Sequence, residues 1–312
     1  MTARILDLPP GTPSPPEVLS KTTAAIIVEK SPRHAHLRKL GRLPSKATDA
    51  MDMGTIVHAI LLGKSSRPIV VVTKDSGEPF ADWRTKAAKD ARALAISQGK
   101  LPILKSKADF AQRAAERFRE RMIELGYRLT GESELAIEWT EPSASGPVTC
   151  WGALDHWHAK TRTIFDLKIS EDAHPETCGR QVRSLGGLIQ AAAYTSAIEQ
   201  LHPELQGRTR FVFLFCELGS GEVVPVTLGG DLRRLGELQW RRAVEAWGHG
   251  LSSGEWPGYS GGEPIVLEAK PWEMDREMGE QFEATERGFS VTENAGSDEP
   301  DNQGDDSGEE SF

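Results

Sequence analysis

Within residues 150–170, CWGALDHWHAKTRTIFDLKIS, stand two aspartates, Asp155 and Asp166, with Lys168 just beyond the second. Asp-x-Lys alone is more simply a surface ion-pair cluster. Here, however, the second aspartate interrupts the apolar run IFDL, and a charge on a buried strand needs a partner or a metal. Paired residues of an antiparallel hairpin have numbers of constant sum. A turn centred between Lys160 and Thr161 therefore sets Asp155 opposite Asp166, with their Cβ atoms about 5 Å apart on one face. Lys168 shares that face roughly 6.6 Å along the strand. Facing carboxylates repel unless a cation lies between them. A hard divalent ion meets that need, and magnesium typically takes one or two carboxylates, with substrate phosphate and water completing its shell. Lys168 beside the ion would hold a water for attack on phosphorus and offset charge in the transition state. A third carboxylate is expected from the neighbouring strand ESELAIEWTE, where Glu134 and Glu138 have the same parity and both remain candidates.

The elements that must position these groups follow from periodicity. A helix is expected after a Ser20 cap, stopped at Ser31-Pro32, then a second short basic helix. In DAMDMGTIVHAILLG, apolar residues at 53, 56, 57, 60 and 61 mark a buried helix ending at Gly63. PIVVVT reads as a short strand. Two charged helices follow, carrying Arg84, Lys86, Lys89, Arg113, Arg117 and Arg121; solvated helix faces account for such charge more simply than DNA contact. ESELAIEWTEP, VTCWGALDHWHA and RTIFDLKIS are strand-like. An amphipathic helix over GGLIQAAAYTSAIEQLHPEL, the strands RTRFVFLFCEL and GEVVPVTL and a final helix complete an α/β domain with a mixed sheet.

Composition sets the outer limits. The chain has 312 residues, 38% hydrophobic and 27% charged, which suits a soluble globular protein with a sizeable core. No apolar run approaches the ~20 residues of a membrane span, and the Pro-rich N-terminus does not suit a secretory signal. Cys150, Cys178 and Cys216 form no C-x-x-C pair, which speaks for a reducing, cytoplasmic setting and against structural zinc. Residues 288–312 hold eight of the nine excess negative charges, so the remaining chain is nearly neutral. The expected organisation is an irregular segment at 1–16, one domain over 17–280 and an acidic, disordered tail over 281–312.

In order along the chain come SPRHAHL, GTIVHAILLG with His58, the Asp155…Asp166-Leu167-Lys168 hairpin, QAAAY from Gln190 to Tyr194, and WPGY with Pro271-Trp272. Together they resemble the PD-(D/E)xK nuclease superfamily, and within it the exodeoxyribonuclease VIII (RecE) type of phage recombination exonuclease. The resemblance spans about residues 20–272. It implies a restriction-endonuclease-like core and a Mg²⁺-dependent deoxyribonuclease, with Mn²⁺ able to substitute. Glu134, Asp155 and Asp166 would be metal ligands, assisted by the Leu167 backbone carbonyl, with Glu138 in reserve for Glu134. Lys168 would be the catalytic lysine and His58 would approach the metal or scissile phosphate. Gln190 and Tyr194, at i and i+4 on one helix face, would meet substrate. Read without the family, His58 is more simply a core histidine, and Tyr194 is as readily a core residue as a substrate contact. The chain departs from the family pattern at Trp151 and Ala153, where basic residues are common, at Gly187, where tyrosine is, and at Ile169, where threonine is.

The expected activity is 5′-to-3′ digestion of double-stranded DNA ends in recombination or repair, in the cytoplasm of a bacterial host. A homo-oligomer and a single-strand annealing protein as partner are implied by the resemblance alone. The alternatives are a structure-specific or restriction-like endonuclease of the same fold and a catalytically silent DNA-binding module. Iron–sulfur nucleases are disfavoured, since their cluster needs four cysteines.

Overall fold

The structure, a computed structural model, describes residues 3–43, 49–184 and 186–293, with the side chains of 49–52, 284 and 286–293 outside the description. The first half of the chain is mainly helical. It runs through β1 (Arg4–Ile5), α1 (Lys21–Glu29), α2 (Pro32–Lys39), α3 (Asp49–Leu62), β2 (Ile69–Val71), α4 (Lys86–Ser97), β3 (Leu101–Ile103) and α5 (Lys105–Glu124). Strands then dominate: β4 (Glu132–Glu141), β5 (Val148–His158) and β6 (Thr163–Ser170). After α6 (Pro175–Ser184) and α7 (Gly187–Leu201) come β7 (Arg210–Glu217), β8 (Val223–Val226), α8 (Gly230–Ser253) and α9 (Pro271–Glu293).

Local chemistry fixes the helix starts. Ser20 Oγ accepts the Thr23 N–H at 3.2 Å, and Ser31 Oγ accepts the His34 N–H at 3.3 Å with Pro32 at the first helical position. The six-stranded sheet is ordered β1-β4-β5-β6-β7-β8. Its neighbours are antiparallel except β6 and β7, which run parallel and are joined through α6 and α7. This is the α/β, restriction-endonuclease-like architecture with a central mixed sheet flanked by helices.

One core cluster packs α1, α7 and α8 against Leu135, Ile137, Trp139, Leu154 and Ile164. A second packs α3 and α5 against Phe165, Leu167, Val212 and Leu214. Successive strand side chains alternate faces. Phe165 and Leu167 lie under α3 and α5, so Asp166 and Lys168 are on the α7 side.

Three elements differ from expectation. Arg4–Ile5 is not irregular: it pairs with Glu138 and Ile137 as an edge strand, and Arg4 binds Glu138 at 2.7 Å. The boundary at 280 falls inside a helix, and the compact first unit ends at Gly261. Residues 281–293 are helical, continuing α9, in which Glu, Gln, Ala and Arg are strong helix formers whatever their net charge. The rest of the acidic tail, 294–312, lies outside the described residues. In the second unit, Lys270 and Arg276 both lie over the Trp272 ring.

Candidate active site

The site grows from an irregularity shared by three strands. The β5–β6 ladder joins His156 to Phe165, Trp157 to Ile164 and His158 to Thr163, the register expected from a turn centred at 160/161. A short helical turn over Ala159–Thr161 and the left-handed Arg162 close it. At the next position the ladder gives way. Asp155 Oδ2 itself accepts the Leu167 N–H at 2.8 Å, so a carboxylate stands between the strands. An extended residue directs its N–H and C=O to the same strand edge, so the Leu167 carbonyl also faces β5.

On the other side, β4 and β5 pair Ser133 with His156 and Leu135 with Leu154, which leaves Glu134 level with Asp155. Glu134 has φ 49°, the left-handed region, in mid-strand. The three acids therefore line up across β4, β5 and β6. Glu138, the other candidate, is level with Trp151 and held by Arg4 at the sheet edge.

Helix α3 delivers His58 to this row. Its Nε2 is 3.1 Å from Asp155 Oδ2 and its Nδ1 is 3.7 Å from Glu134 Oε1. His58, Glu134 and Asp155 offer ligand atoms all within 4.8 Å of one another. Asp166 is differently engaged. It is buried, ion-paired with Lys168, and accepts a hydrogen bond from Gln190 Nε2. Gln190 Oε1 in turn lies 3.5 Å from Lys168 Nζ. The five acidic, basic and imidazole side chains anticipated thus converge, but in two subsets, with Asp166 in the lysine's.

Burial and the neighbouring carboxylate of Asp155 push the Glu134 carboxyl up, and the same two causes, opposed by Lys168, raise Asp166. Burial would also raise Asp155, but the His58 hydrogen bond and the Lys168 charge hold it low. Burial disfavours the charged forms of His58 and Lys168, yet the surrounding carboxylates raise both. The clustered acids thus favour the charged forms of the imidazole and the ammonium beside them.

That donor set fits a divalent ion. Two carboxylates and an imidazole at ligating separation could hold a divalent cation. The left-handed Glu134, an outlier costing on the order of 1–3 kcal/mol, is the type of backbone strain that collects at functional sites.

Tyr194, on α7 one turn after Gln190, is buried, and burial beside Asp155, Asp166 and Glu134 raises its phenol well above the usual range. Its ring lies against the backbone of Gly152, where a Cβ would come within 2.3 Å of Cε1. Gly187 is equally constrained: a Cβ there would meet the Val182 carbonyl at 2.7 Å, so this helix start has no room for tyrosine. Reasoning from sequence missed Lys21. It opens α1 and shares a cleft with Glu134, Trp151, Ala153 and Tyr194, roofed by Leu8, Pro10 and Thr12. Burial lowers its pKa, while Asp166 and Asp155 oppose the shift. The only local signal was a lysine directly after a helix cap.

Comparison with known proteins agrees with this geometry. The profile of a family described as a PDDEXK-like domain of unknown function (DUF3799) matches residues 24–217, well over half of the chain. The chain belongs to that family, and so to the PD-(D/E)xK nuclease superfamily. Among solved structures it is similar to a "Putative exonuclease" from Eubacterium rectale, with TM-score 0.49 and 14% identity over 83% of this chain and 92% of that one. No curated protein matches it in sequence. No helix among the described residues is long and apolar enough to cross a membrane.

Proposed function

We propose that the protein is a divalent-metal-dependent DNA exonuclease, using Mg²⁺ or Mn²⁺, that digests double-stranded ends in the 5′-to-3′ direction. The observation that carries the nuclease reading is the row Glu134–Asp155–Asp166 across three strands, with His58 closing one end and Lys168 the other. Glu134, Asp155 and His58 are the residues that would hold the ion, with the Leu167 carbonyl and Asp166 at hand. A divalent ion so held supplies Lewis-acid polarisation of a phosphate oxygen and a bound water of lowered pKa.

The chain's own groups do the rest. Lys168 stays protonated because Asp166 and Asp155 favour its charge, so it acts as a hydrogen-bond donor that orients the attacking water. Gln190 fixes the Asp166 carboxylate, which fixes the ammonium. The polarity, the end preference, cytoplasmic work beside an annealing protein and a homo-oligomeric state rest on the resemblance to recombination exonucleases.

The test is digestion of end-labelled linear duplex and of covalently closed circles. Linear DNA should release nucleotides from its 5′ ends with Mg²⁺ and stop with EDTA, while circles survive. Cleavage of circles would make the enzyme an endonuclease. Lys168→Ala should lose release by about 10²-fold or more with an unchanged circular dichroism spectrum; parental release by that variant would exclude the mechanism.

A further inference from the structure

Between Glu29 and Asp49 the chain holds six Lys or Arg and no acid. This stretch contains α2 and the turn after it. Several cations elsewhere are answered by acids: Arg4 by Glu138, Arg84 by Asp82, Arg121 by Glu124 and Glu222, Arg241 by Glu141. Among the described residues, Arg33 and Arg42 are exposed and in no such pair, and no helix neighbour supplies one. Glu17 acts on Lys39 only through space.

The position of this stretch gives its charge a use. Lys39 Nζ donates to Ser14 Oγ at 2.5 Å and to the Pro15 carbonyl at 2.7 Å. Ser14 lines the cleft that also holds Lys21 and Glu134. The C-terminal end of α2 is thus tied to the rim of the cleft, and Lys21 lies inside it. At the other end, Arg33 donates its N–H to the Pro257 carbonyl, and His34 packs against Tyr259, whose ring is 67% exposed. An acid-free stripe with an exposed aromatic ring, leading to a cluster of acids, is the electrostatic footprint of a polyanion fed into a metal site.

Resting on the nuclease reading, we propose that α2 and the turn after it form the track along which the DNA sugar-phosphate backbone enters the cleft. Arg33 and Arg42, at opposite ends of α2, contact separate phosphates outside, and Lys21 meets the phosphate nearest the acids. Base identity plays no part, so binding is sequence-independent and governed by counterion release.

The experiment is fluorescence anisotropy of a labelled duplex in EDTA over a range of salt, for the full chain and for Arg33→Gln/Arg42→Gln. Every phosphate deprived of its cationic partner lowers the slope of log affinity against log salt by about 0.9. The double variant should therefore have a slope shallower by about 1.8 and bind about tenfold or more weakly at low salt. Arg33→Lys/Arg42→Lys should recover most of both, which a merely structural role would not. Arg84→Gln/Lys86→Gln, at the start of α4, should change neither. Hydrolysis of bis(p-nitrophenyl) phosphate with Mn²⁺, a substrate with one phosphate, should proceed at the parental rate in the double glutamine variant. An unchanged salt slope, or a slope not restored by lysine, would overturn the track. A parent inert toward that small diester whose DNA-binding slope still falls in the variant would overturn the nuclease reading and leave the track standing.

Discussion

A glutamate at φ 49° in mid-strand is held there at a cost of about 1–3 kcal/mol. The distortion sets Glu134 level with Asp155 and within reach of His58, so the strain serves the site and not the sheet. Replacement by glycine should relieve both the backbone strain and the repulsion from Asp155. We expect Glu134→Gly to raise the Tm in EDTA by a few degrees, as about 1 kcal/mol does in a domain of this size, while nuclease activity falls to background. A lowered Tm would show that the conformation carries no strain. This residue also marks where sequence reasoning stopped. Parity allowed Glu134 and Glu138 equally, and the choice depended on a positive φ and an arginine on a two-residue strand, neither of which has a sequence signature. The constant-sum rule gave the register of the rungs His156–Phe165 to His158–Thr163, because a hairpin's register needs only its turn centre, whereas Asp155 and Asp166, expected on one face, engage different helices, Asp155 His58 of α3 and Asp166 Gln190 of α7. It could not anticipate that Asp155 would replace a main-chain partner of Leu167.

At the level of elements, β4 is fastened to α7 and α8 through one buried acid. Glu141 Oε1 accepts from Trp139 Nε1 and Trp240 Nε1, each at 3.1 Å, and from Ser196 Oγ at 2.6 Å. Removing a shared acceptor strands buried donors at about 1–3 kcal/mol apiece. Glu141→Leu should therefore destabilise by at least about 3 kcal/mol in urea unfolding, and Glu141→Gln, which keeps an acceptor oxygen, by markedly less; equal losses would refute the shared-acceptor account. A second joint ties α2 to residues 14–15 through Lys39, whose pKa burial depresses to about 8 against Glu17's opposing pull. The unfolded chain holds that proton more tightly, so folding is penalised below pH 8 and the penalty fades as pH rises toward 10.5. Relative to Lys39→Met, the parent should gain stability between those pH values; a constant difference would count against it. Long periodic elements such as α3, α5, α7 and the β4–β6 run were legible because burial repeats in them. The two-residue β1, the three-residue β3 and α9 were not, since short strands need partners to exist and α9's acidic composition masked its helical propensity.

Across the whole molecule, clustered carboxylates tie stability to the ion. Glu134 and Asp166 are both pushed up, by burial first and with Asp155 adding to it, so the ion-free fold disfavours their charged forms. An ion binding the native ligand set and not the unfolded chain stabilises by RT ln(1 + [L]/Kd), about 2.7 kcal/mol at a hundredfold excess over Kd. At roughly 2–4 °C per kcal/mol, saturating Mn²⁺ should raise the Tm by about 5–10 °C over EDTA. The shift should vanish in Asp155→Asn, which removes the acid common to the imidazole and the Leu167 amide, and persist in Glu138→Gln, whose acid belongs to Arg4. Calcium, which accepts the same oxygen ligands but tolerates looser geometry, separates binding from turnover: a calcium shift without DNA release would assign the stabilisation to charge neutralisation alone. If Asp155→Asn kept the full Mn²⁺ shift, the ion would lie elsewhere, and the row of acids across β4, β5 and β6 would lose its role as a metal centre.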